Sequence, residues 1–252
     1  AFCNHCPACV SGQQNFCPEF TVLGYRNDGG NRELIAVPAV NVIPIPDSLT
    51  FEQAASVPLV FLTAWHMLVS RARIRPGQSI LVLGAGSGVG TAAIQIAKLF
   101  SATVITTAGD ERKLDLARQL GADFTIDHYR QKISEEVKKI TSKRGVDIVF
   151  EHVGKATWDE SMKSLRPGGT IVTCGATTGP EVNMDLRFLF SRQLSYLGSF
   201  MGNMGDLHSV LAEIFSGKLK PVVARTFALK EAAEAHRYLE SSQMFGKVVL
   251  VV

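Results

Sequence analysis

The stretch Ile80-Leu81-Val82-Leu83-Gly84-Ala85-Gly86-Ser87-Gly88-Val89-Gly90 decides the fold. Ile80–Leu83 is a continuous apolar run, the pattern of a strand buried on both faces. Leu83 to Gly90 then reads L-G-A-G-S-G-V-G, and a helical pattern follows from Thr91 to Phe100. A glycine turn between strand and helix is the setting a dinucleotide needs. Glycines let the backbone approach the pyrophosphate, and the helix N-terminus offers unpaired N–H groups and partial positive charge. The register departs from strict G-x-G-x-x-G: with Gly90 as third glycine, Ala85 and Ser87 hold the first two positions. Both are small, so Ala85, Gly86, Ser87, Gly88, Val89 and Gly90 are candidate cofactor contacts. The alternative is a tight strand-to-helix turn without a ligand.

The alternation continues downstream. Strands are expected at Thr103–Thr106, Phe124–Ile126, Val146–Phe150, Thr170–Cys174 and Leu194–Leu197, the fourth entered through a Pro167-Gly168-Gly169 turn. Helices are expected at Glu111–Leu120, around Ile133, Val137 and Ile140, and around Trp158, Met162 and Leu165. Such alternation predicts an α/β fold, a Rossmann-type doubly wound parallel sheet with right-handed crossovers. Before it, Leu34 to Val42 reads as an apolar strand stretch, and Asp47 to Ser70 as one or two helices that Pro58 starts or kinks. After Gly198 come a helix over Leu207, Val210/Leu211 and Ile214, a short strand at Val222–Val223, a helix from Lys230 to Leu239 and a strand at Val248–Val252. This tail is expected to pack back onto the N-terminal part. The expected division is 1–60, 61–200 and 201–252.

The second strand ends Thr106-Thr107-Ala108-Gly109, where an NAD-preferring site carries Asp or Glu for the ribose hydroxyls. Here small residues are followed by Arg112 and Lys113. Without the acid a 2′-phosphate is not repelled, and cations nearby can pair with it. The pattern favours NADP(H) over NAD(H), with Thr107, Arg112 and Lys113 as contacts. Alternatively the two cations are solvated residues of a helix's first turn, a position that opposes the helix dipole.

Four of the five cysteines, Cys3, Cys6, Cys9 and Cys17, are spaced C-x2-C-x2-C-x7-C. Four thiolates on a short loop match structural zinc, which takes four soft ligands and no water. A disulfide framework explains the clustering less well in a large α/β chain. His5 stands inside the cluster as a further candidate or as a loop residue. Cys174 stands alone in an apolar strand and reads as a buried small residue rather than as a nucleophile.

Composition narrows the class. In 252 residues, 46% hydrophobic and 19% charged residues exclude disorder. A net charge of +3 without a basic stripe gives no reason to expect nucleic acid. No apolar run is long enough for a bilayer, and no basic-then-apolar leader opens the chain. A cytoplasmic protein without membrane or nucleic-acid partners is expected.

The cysteine spacing, the glycine turn, Gly145-Val-Asp-Ile-Val-Phe-Glu-His-Val-Gly154 and Phe245-Gly246-Lys247-Val248-Val249 occur in one order that covers essentially the whole chain. Together they resemble the zinc-type alcohol dehydrogenase and quinone reductase superfamily, the medium-chain dehydrogenases. The resemblance implies a structural-zinc lobe and the remnant of a GroES-like substrate domain beside the Rossmann domain. It also implies that this chain is the C-terminal portion of a longer enzyme and inactive alone. The family's last catalytic-zinc ligand would align with Leu59, which cannot bind metal. By position the resemblance puts Thr63 near the nicotinamide and Val153, Cys174, Gly175 and Ala176 along the cofactor cleft. It puts Ser199, Phe200 and Met201 at the nicotinamide amide. His128 would lie beside the adenosine 2′-phosphate, or else be an exposed loop histidine. Glu151 and His152 fall where the family packs around the cofactor ribose, and no catalytic residue is assigned. The implied function is hydride transfer between NADP(H) and an alcohol, carbonyl or enone/quinone substrate. The apolar edge segment Gln193–Gly198 implies a homodimer, or a tetramer built from dimers. A rival reading is a non-catalytic NADPH-binding, zinc-stabilised sensing or assembly module.

Overall fold

Ser79–Val82 forms strand β1, buried at all four positions, in a computed structural model that describes residues 1–25 and 28–252. Among these residues, six strands make one parallel sheet: β1, β2 (Thr103–Ala108), β3 (Phe124–Asp127), β4 (Val146–Glu151), β5 (Leu165–Thr173) and β6 (Ser195–Gly198). The order is β3-β2-β1-β4-β5-β6. Parallel neighbours need crossovers, and α4 (Gly88–Leu99), α5 (Glu111–Gln119), α6 (Ile133–Ile140), α7 (Trp158–Ser164) and α8 (Leu186–Ser191) supply them. The chain steps outward from β1 through β2 to β3, then returns to the far side of β1 with β4. The order therefore reverses between β1 and β4, the kind of crevice where open α/β sheets bind ligands.

The local signals act as physics requires. β4 is buried at all six positions, as a central strand covered on both faces must be. Asp110 caps α5 by accepting from the Lys113 amide at 2.9 Å, and Gly121, at φ +107°, ends it in the left-handed conformation that other residues resist. α6 buries Ile133 and Val137 at a spacing of four, with Ile140 packed beside them.

At the opposite rim, buried Asp147 ties three strands together. Its carboxylate accepts from the Ser79 amide (2.8 Å), Arg144 Nη2 (2.8 Å) and Arg166 Nε (2.6 Å). The register explains Arg166: Val146 pairs with Leu165, but Ile148 already pairs with Thr170. The expected Pro167-Gly168-Gly169 turn is thus an irregularity inside β5, which begins at Leu165.

The chain divides into two compact units. One is Thr63–Phe200, which holds the sheet; the other joins Ala1–Leu62 to Met201–Val252. In the second unit, α1 (Pro7–Val10) lies in the cysteine loop and α2 (Phe51–Ala55) starts at a capping box of Thr50 and Gln53. α9 (Met204–Phe215) leads to the parallel pair β7 (Val223–Ala228) and β8 (Lys247–Val251), with α10 (Ala232–Glu240) between them in sequence. The unit's two segments meet where Gln14 Oε1 accepts from the Met204 amide at 3.2 Å. α3 (Pro58–Trp65) runs from one unit into the other and continues as a π-helical turn, His66–Arg71.

The expected strand over Leu34–Val42 is not formed. That segment holds only a 3₁₀ turn at Ala39–Asn41, and Leu34 is 87% exposed. An apolar run becomes a strand only where another strand completes its hydrogen bonds, and none among the described residues does so. The strand expected at Val222–Val223 is longer than its apolar letters suggest, because pairing with β8 carries it to Ala228.

Candidate cofactor site and metal centre

α4 begins earlier than its apolar pattern. Ser87 is the N-cap, its Oγ accepting from the Gly90 amide at 2.9 Å and donating to the Gly84 carbonyl at 2.9 Å. The Gly88 and Val89 amides therefore stand in the first helical turn, where no intrahelical acceptor exists. Gly84 has φ +65°. A Cβ on Gly90 would come 2.3 Å from the Gly84 oxygen, so helix and turn close only around glycine. Thr107 braces the turn from β2: its Oγ1 accepts from the Gly84 amide (3.0 Å) and its carbonyl from the Ala85 amide (2.8 Å).

Next to Thr107, the end of β2 meets the end of β3. The His128 amide donates to the Ala108 carbonyl at 3.1 Å, and a Cβ on Gly109 would strike the Tyr129 ring at 2.5 Å and His128 Nε2 at 3.1 Å. Burial pushes the His128 imidazole below its usual range; Asp127 opposes this and the Lys113 charge adds to it. Lys113 thus faces His128 electrostatically, while its Nζ lies 3.7 Å from Asp110. Arg112 lies exposed on the same first turn of α5. Tyr129 was not among the sequence candidates; the glycine at 109 beside two aromatic rings is the signal for it.

On the far side of β1, Glu151 is fully buried. Its carboxylate accepts from the Val153 amide (2.6 Å), the Gly154 amide (3.0 Å), Thr157 Oγ1 (2.9 Å) and Ser161 Oγ (2.6 Å). Four donors satisfy the charge and fix the loop after β4, so this acid organises backbone. His152 turns toward the glycine turn. Its Nε2 lies 2.8 Å from the Leu83 carbonyl, an acceptor, so that nitrogen carries the proton. Burial holds the imidazole below its usual range, with the Leu83 carbonyl and the Glu151 charge pulling the other way.

Cys174, Gly175 and Ala176 follow β5. The Cys174 amide donates to the Glu151 carbonyl at 3.3 Å, and a Cβ on Gly175 would lie 3.0 Å from the His152 carbonyl. Cys174 stands just beyond the strand, not within it, and burial pushes its thiol up to about 11. Ser199 follows β6, its amide bonded to the Thr173 carbonyl at 2.8 Å. Its buried hydroxyl has no partner among the described residues. An unpaired buried donor costs about 1–3 kcal/mol, which a ligand acceptor there would recover. Phe200 is 59% exposed, and Met201 has φ +53°. Thr63 is buried near the end of α3 and belongs to no strand end. The glycine cradle and the orphaned Ser199 hydroxyl both fit a dinucleotide along these ends.

The four loop cysteines come together. All four sulfurs lie within 4.8 Å of one another, Cys3 and Cys9 are 3.8 Å apart, and all are free thiols. Tetrahedral zinc with Zn–S of about 2.3 Å requires sulfurs about 3.8 Å apart, so the set fits the ion. The Cys3 amide points at Cys17 Sγ (3.4 Å) and the Cys6 amide at Cys3 Sγ (3.3 Å), as suits thiolates. The His5 amide and neighbouring donors hold Cys3 down to about 6, while burial pushes Cys9 up to about 12. His5 Nδ1 is bonded to the Cys3 carbonyl at 2.8 Å, and a ring nitrogen of His5 also lies within 4.8 Å of Cys3 Sγ and of a Glu19 carboxylate oxygen.

Comparison with known proteins identifies the family of the chain. The zinc-binding dehydrogenase family profile matches residues 88–216, and the alcohol dehydrogenase GroES-like domain profile matches residues 1–47. A crotonyl-CoA reductase of Streptomyces collinus is 31% identical over 251 residues, covering 92% of this chain and 56% of that protein. The chain thus spans little more than half the length of that relative. A quinone oxidoreductase of Pseudomonas aeruginosa is 33% identical over 232 residues, covering 88% of this chain and 71% of that protein. A crystal structure of an NAD-dependent alcohol dehydrogenase superposes with a TM-score of 0.96 at 44% identity, covering 100% of this chain and 74% of the other. The chain belongs to the zinc-binding dehydrogenase family, within the superfamily of zinc-type alcohol dehydrogenases and quinone reductases.

Proposed function

We propose that this chain is the cofactor-binding part of an oxidoreductase that moves hydride between NADP(H) and a small alcohol, carbonyl or enone/quinone substrate. One observation carries the reading. The glycine turn, Thr107, His128, Val153, Cys174–Ala176 and Ser199 all follow or end strands at the carboxyl rim of the sheet, on both sides of the β1/β4 reversal. Relatives named alcohol dehydrogenase, quinone oxidoreductase and crotonyl-CoA reductase support the substrate classes.

The cofactor, when bound, supplies or accepts the hydride. The chain's residues bind and orient it. First-turn amides of α4 meet the pyrophosphate, and the glycines keep side chains out of its path. Arg112, Lys113 and His128 receive the adenosine 2′-phosphate. Val153 and Cys174–Ala176 wall the cleft, while Thr63, Ser199, Phe200 and Met201 hold the nicotinamide. Cys3, Cys6, Cys9 and Cys17 hold a structural zinc. The edge strand β6, whose second edge has no partner among the described residues, pairs two copies of the chain into a homodimer. No residue here is assigned as proton donor, so cofactor binding, not turnover, is the first test.

That test is a fluorescence titration with NADPH and NADH. NADPH is expected to bind at least about tenfold tighter, a difference of about 1.4 kcal/mol. Arg112→Ala combined with Lys113→Ala should remove most of this preference and leave NADH affinity unchanged. Tighter NADH binding would reverse the cofactor preference, and absence of both would remove the oxidoreductase reading.

A further inference from the structure

Cys3 belongs to two sets of ligand atoms. It stands among the four sulfurs of the cysteine loop, and with a ring nitrogen of His5 and a carboxylate oxygen of Glu19 it forms a second group whose atoms all lie within 4.8 Å of one another. All these residues belong to the same compact unit. Cys9 and Cys17 are buried, Cys3 is half-buried, and His5 and Glu19 are exposed. Among the described residues, Cys3 is thus the one sulfur that the inner set shares with an outer set of thiolate, imidazole and carboxylate. Asn4, at φ +68°, turns the backbone between Cys3 and His5. His5 Nδ1 donates to the Cys3 carbonyl at 2.8 Å; a carbonyl only accepts, so the neutral ring keeps its lone pair on Nε2. Backbone carbonyls fix metal-binding histidines in the same way.

We propose that Cys3, His5 and Glu19 form an outer zinc station through which the ion enters and leaves the four-cysteine centre. The inference rests on the reading of Cys3, Cys6, Cys9 and Cys17 as zinc ligands. Four thiolates complete a tetrahedral shell and leave no open position. An ion leaves such a shell only as thiolates let go, and each loss uncovers positive charge unless another ligand takes the place. His5 and Glu19 supply those ligands while Cys3 keeps its Zn–S bond. On entry, the bonds from His5, Glu19 and a water to the ion break. Bonds from Cys6, Cys9 and Cys17 form, and any thiol protons they carry pass to solvent. No electron is transferred. Charge favours the inward step, because two anions face the ion at the station and four in the centre. Residues 1–25 contain no Lys or Arg to oppose it. Zinc bonds of about 2.0–2.3 Å put ligand atoms about 3.3–3.8 Å apart, so the exposed His5 and Glu19 side chains need to close by about 1 Å.

The test uses the full zinc-loaded chain. Zinc release into excess EDTA gives the exit rate, chelator competition gives the affinity, and together they give the entry rate. Glu19→Ala should slow exit and entry alike, each by about tenfold or more, and leave affinity within about threefold, because a station on the path alters the barrier and not its ends. Glu19→His, which offers another zinc ligand, should restore both rates, whereas Glu19→Gln should not. His5→Ala should show its loss of affinity as slower entry, not as faster exit. A purely structural role for Glu19 gives the opposite pattern: weaker affinity, faster exit and no rescue by histidine. That result overturns the inference, as does Glu19→Ala with unchanged rates. Zinc missing from the wild-type chain removes the four-cysteine reading itself and the station with it, whereas a bound zinc with unaltered exit and entry removes the station alone.

Discussion

His152 holds Ser87: the imidazole Nε2 at the end of β4 lies 3.2 Å from the hydroxyl that caps α4. The single Nε2 proton is shared between the Leu83 carbonyl (2.8 Å) and Ser87 Oγ, which also accepts from the Gly90 amide and donates to the Gly84 carbonyl. A residue beyond the sheet's reversal point thereby shapes the turn on the other side of it. Ser87→Ala should cost about 1 kcal/mol as a lost cap and weaken NADPH several-fold. His152→Leu should cost about 1–2 kcal/mol by orphaning a buried carbonyl. Because the two share partners, the double variant should lose at least about 0.5 kcal/mol less than the sum. Thermal denaturation and NADPH titration of the four proteins measure the coupling; strict additivity would mean that the contact carries nothing.

Gly90→Ala tests the closeness of helix and turn. Its Cβ would lie 2.3 Å from the backbone oxygen of Gly84, which cannot swing aside as a side chain could. The expected cost is about 2 kcal/mol, with NADPH affinity falling more than tenfold because α4 must move from the turn. A variant with unaltered melting and binding would contradict the tight packing.

The cysteine lobe yields a stoichiometry. Elemental analysis should find one zinc per chain. Cys9→Ser should weaken zinc by more than about 100-fold, exceeding the 10–100-fold typical of outer-sphere partners. His5→Ala, which removes the bond to the Cys3 carbonyl but none of the four thiolates, should stay within that range. Cys174→Ser should leave zinc content unchanged. Equal zinc in wild type and Cys9→Ser would place the ion elsewhere.

Asp147 gives the fold a pH dependence. Burial alone would raise its carboxyl, but the Ser79 amide and the guanidinium groups of Arg144 and Arg166 hold it at about 2, against an ordinary 3.8. A lowered carboxylate stabilises the native state fully above its unfolded value, and this contribution is lost as pH falls from about 4 towards 2. Asp147→Asn should cost about 2 kcal/mol at pH 7, below the value for a fully buried pair because Arg144 is 53% exposed. The variant should also show a flatter loss of stability between pH 4 and 2. Parallel acid-denaturation curves for the two proteins would show that the network contributes nothing.

How much was legible depends on the range of the forces involved. The apolar runs at Ile80–Leu83 and Val146–Phe150 announce buried strands because burial on both faces leaves no polar positions. The start of α4 at Gly88 was not legible from apolar letters, because a hydroxyl cap and glycines, not burial, set it. Leu34–Val42 misled for the converse reason: its letters suit a strand, but pairing is a property of two segments. Tyr129 escaped notice since only the approach of β3 to β2 brings its ring against Gly109.

By itself the sequence determined what is local: the alternation that builds a doubly wound sheet, the glycine turn, and the loop of four cysteines. In each case backbone freedom, burial period or ligand spacing acts over a few neighbouring residues. Tertiary structure alone decided that Glu151 would spend its charge on four donors, that His152 would grip Ser87, and that Asp147 would draw Arg166 from an irregular β5. Hydrogen bonds and ion pairs of this kind act across a few ångströms of space between residues far apart in the chain, and only the folded sheet brings them within reach.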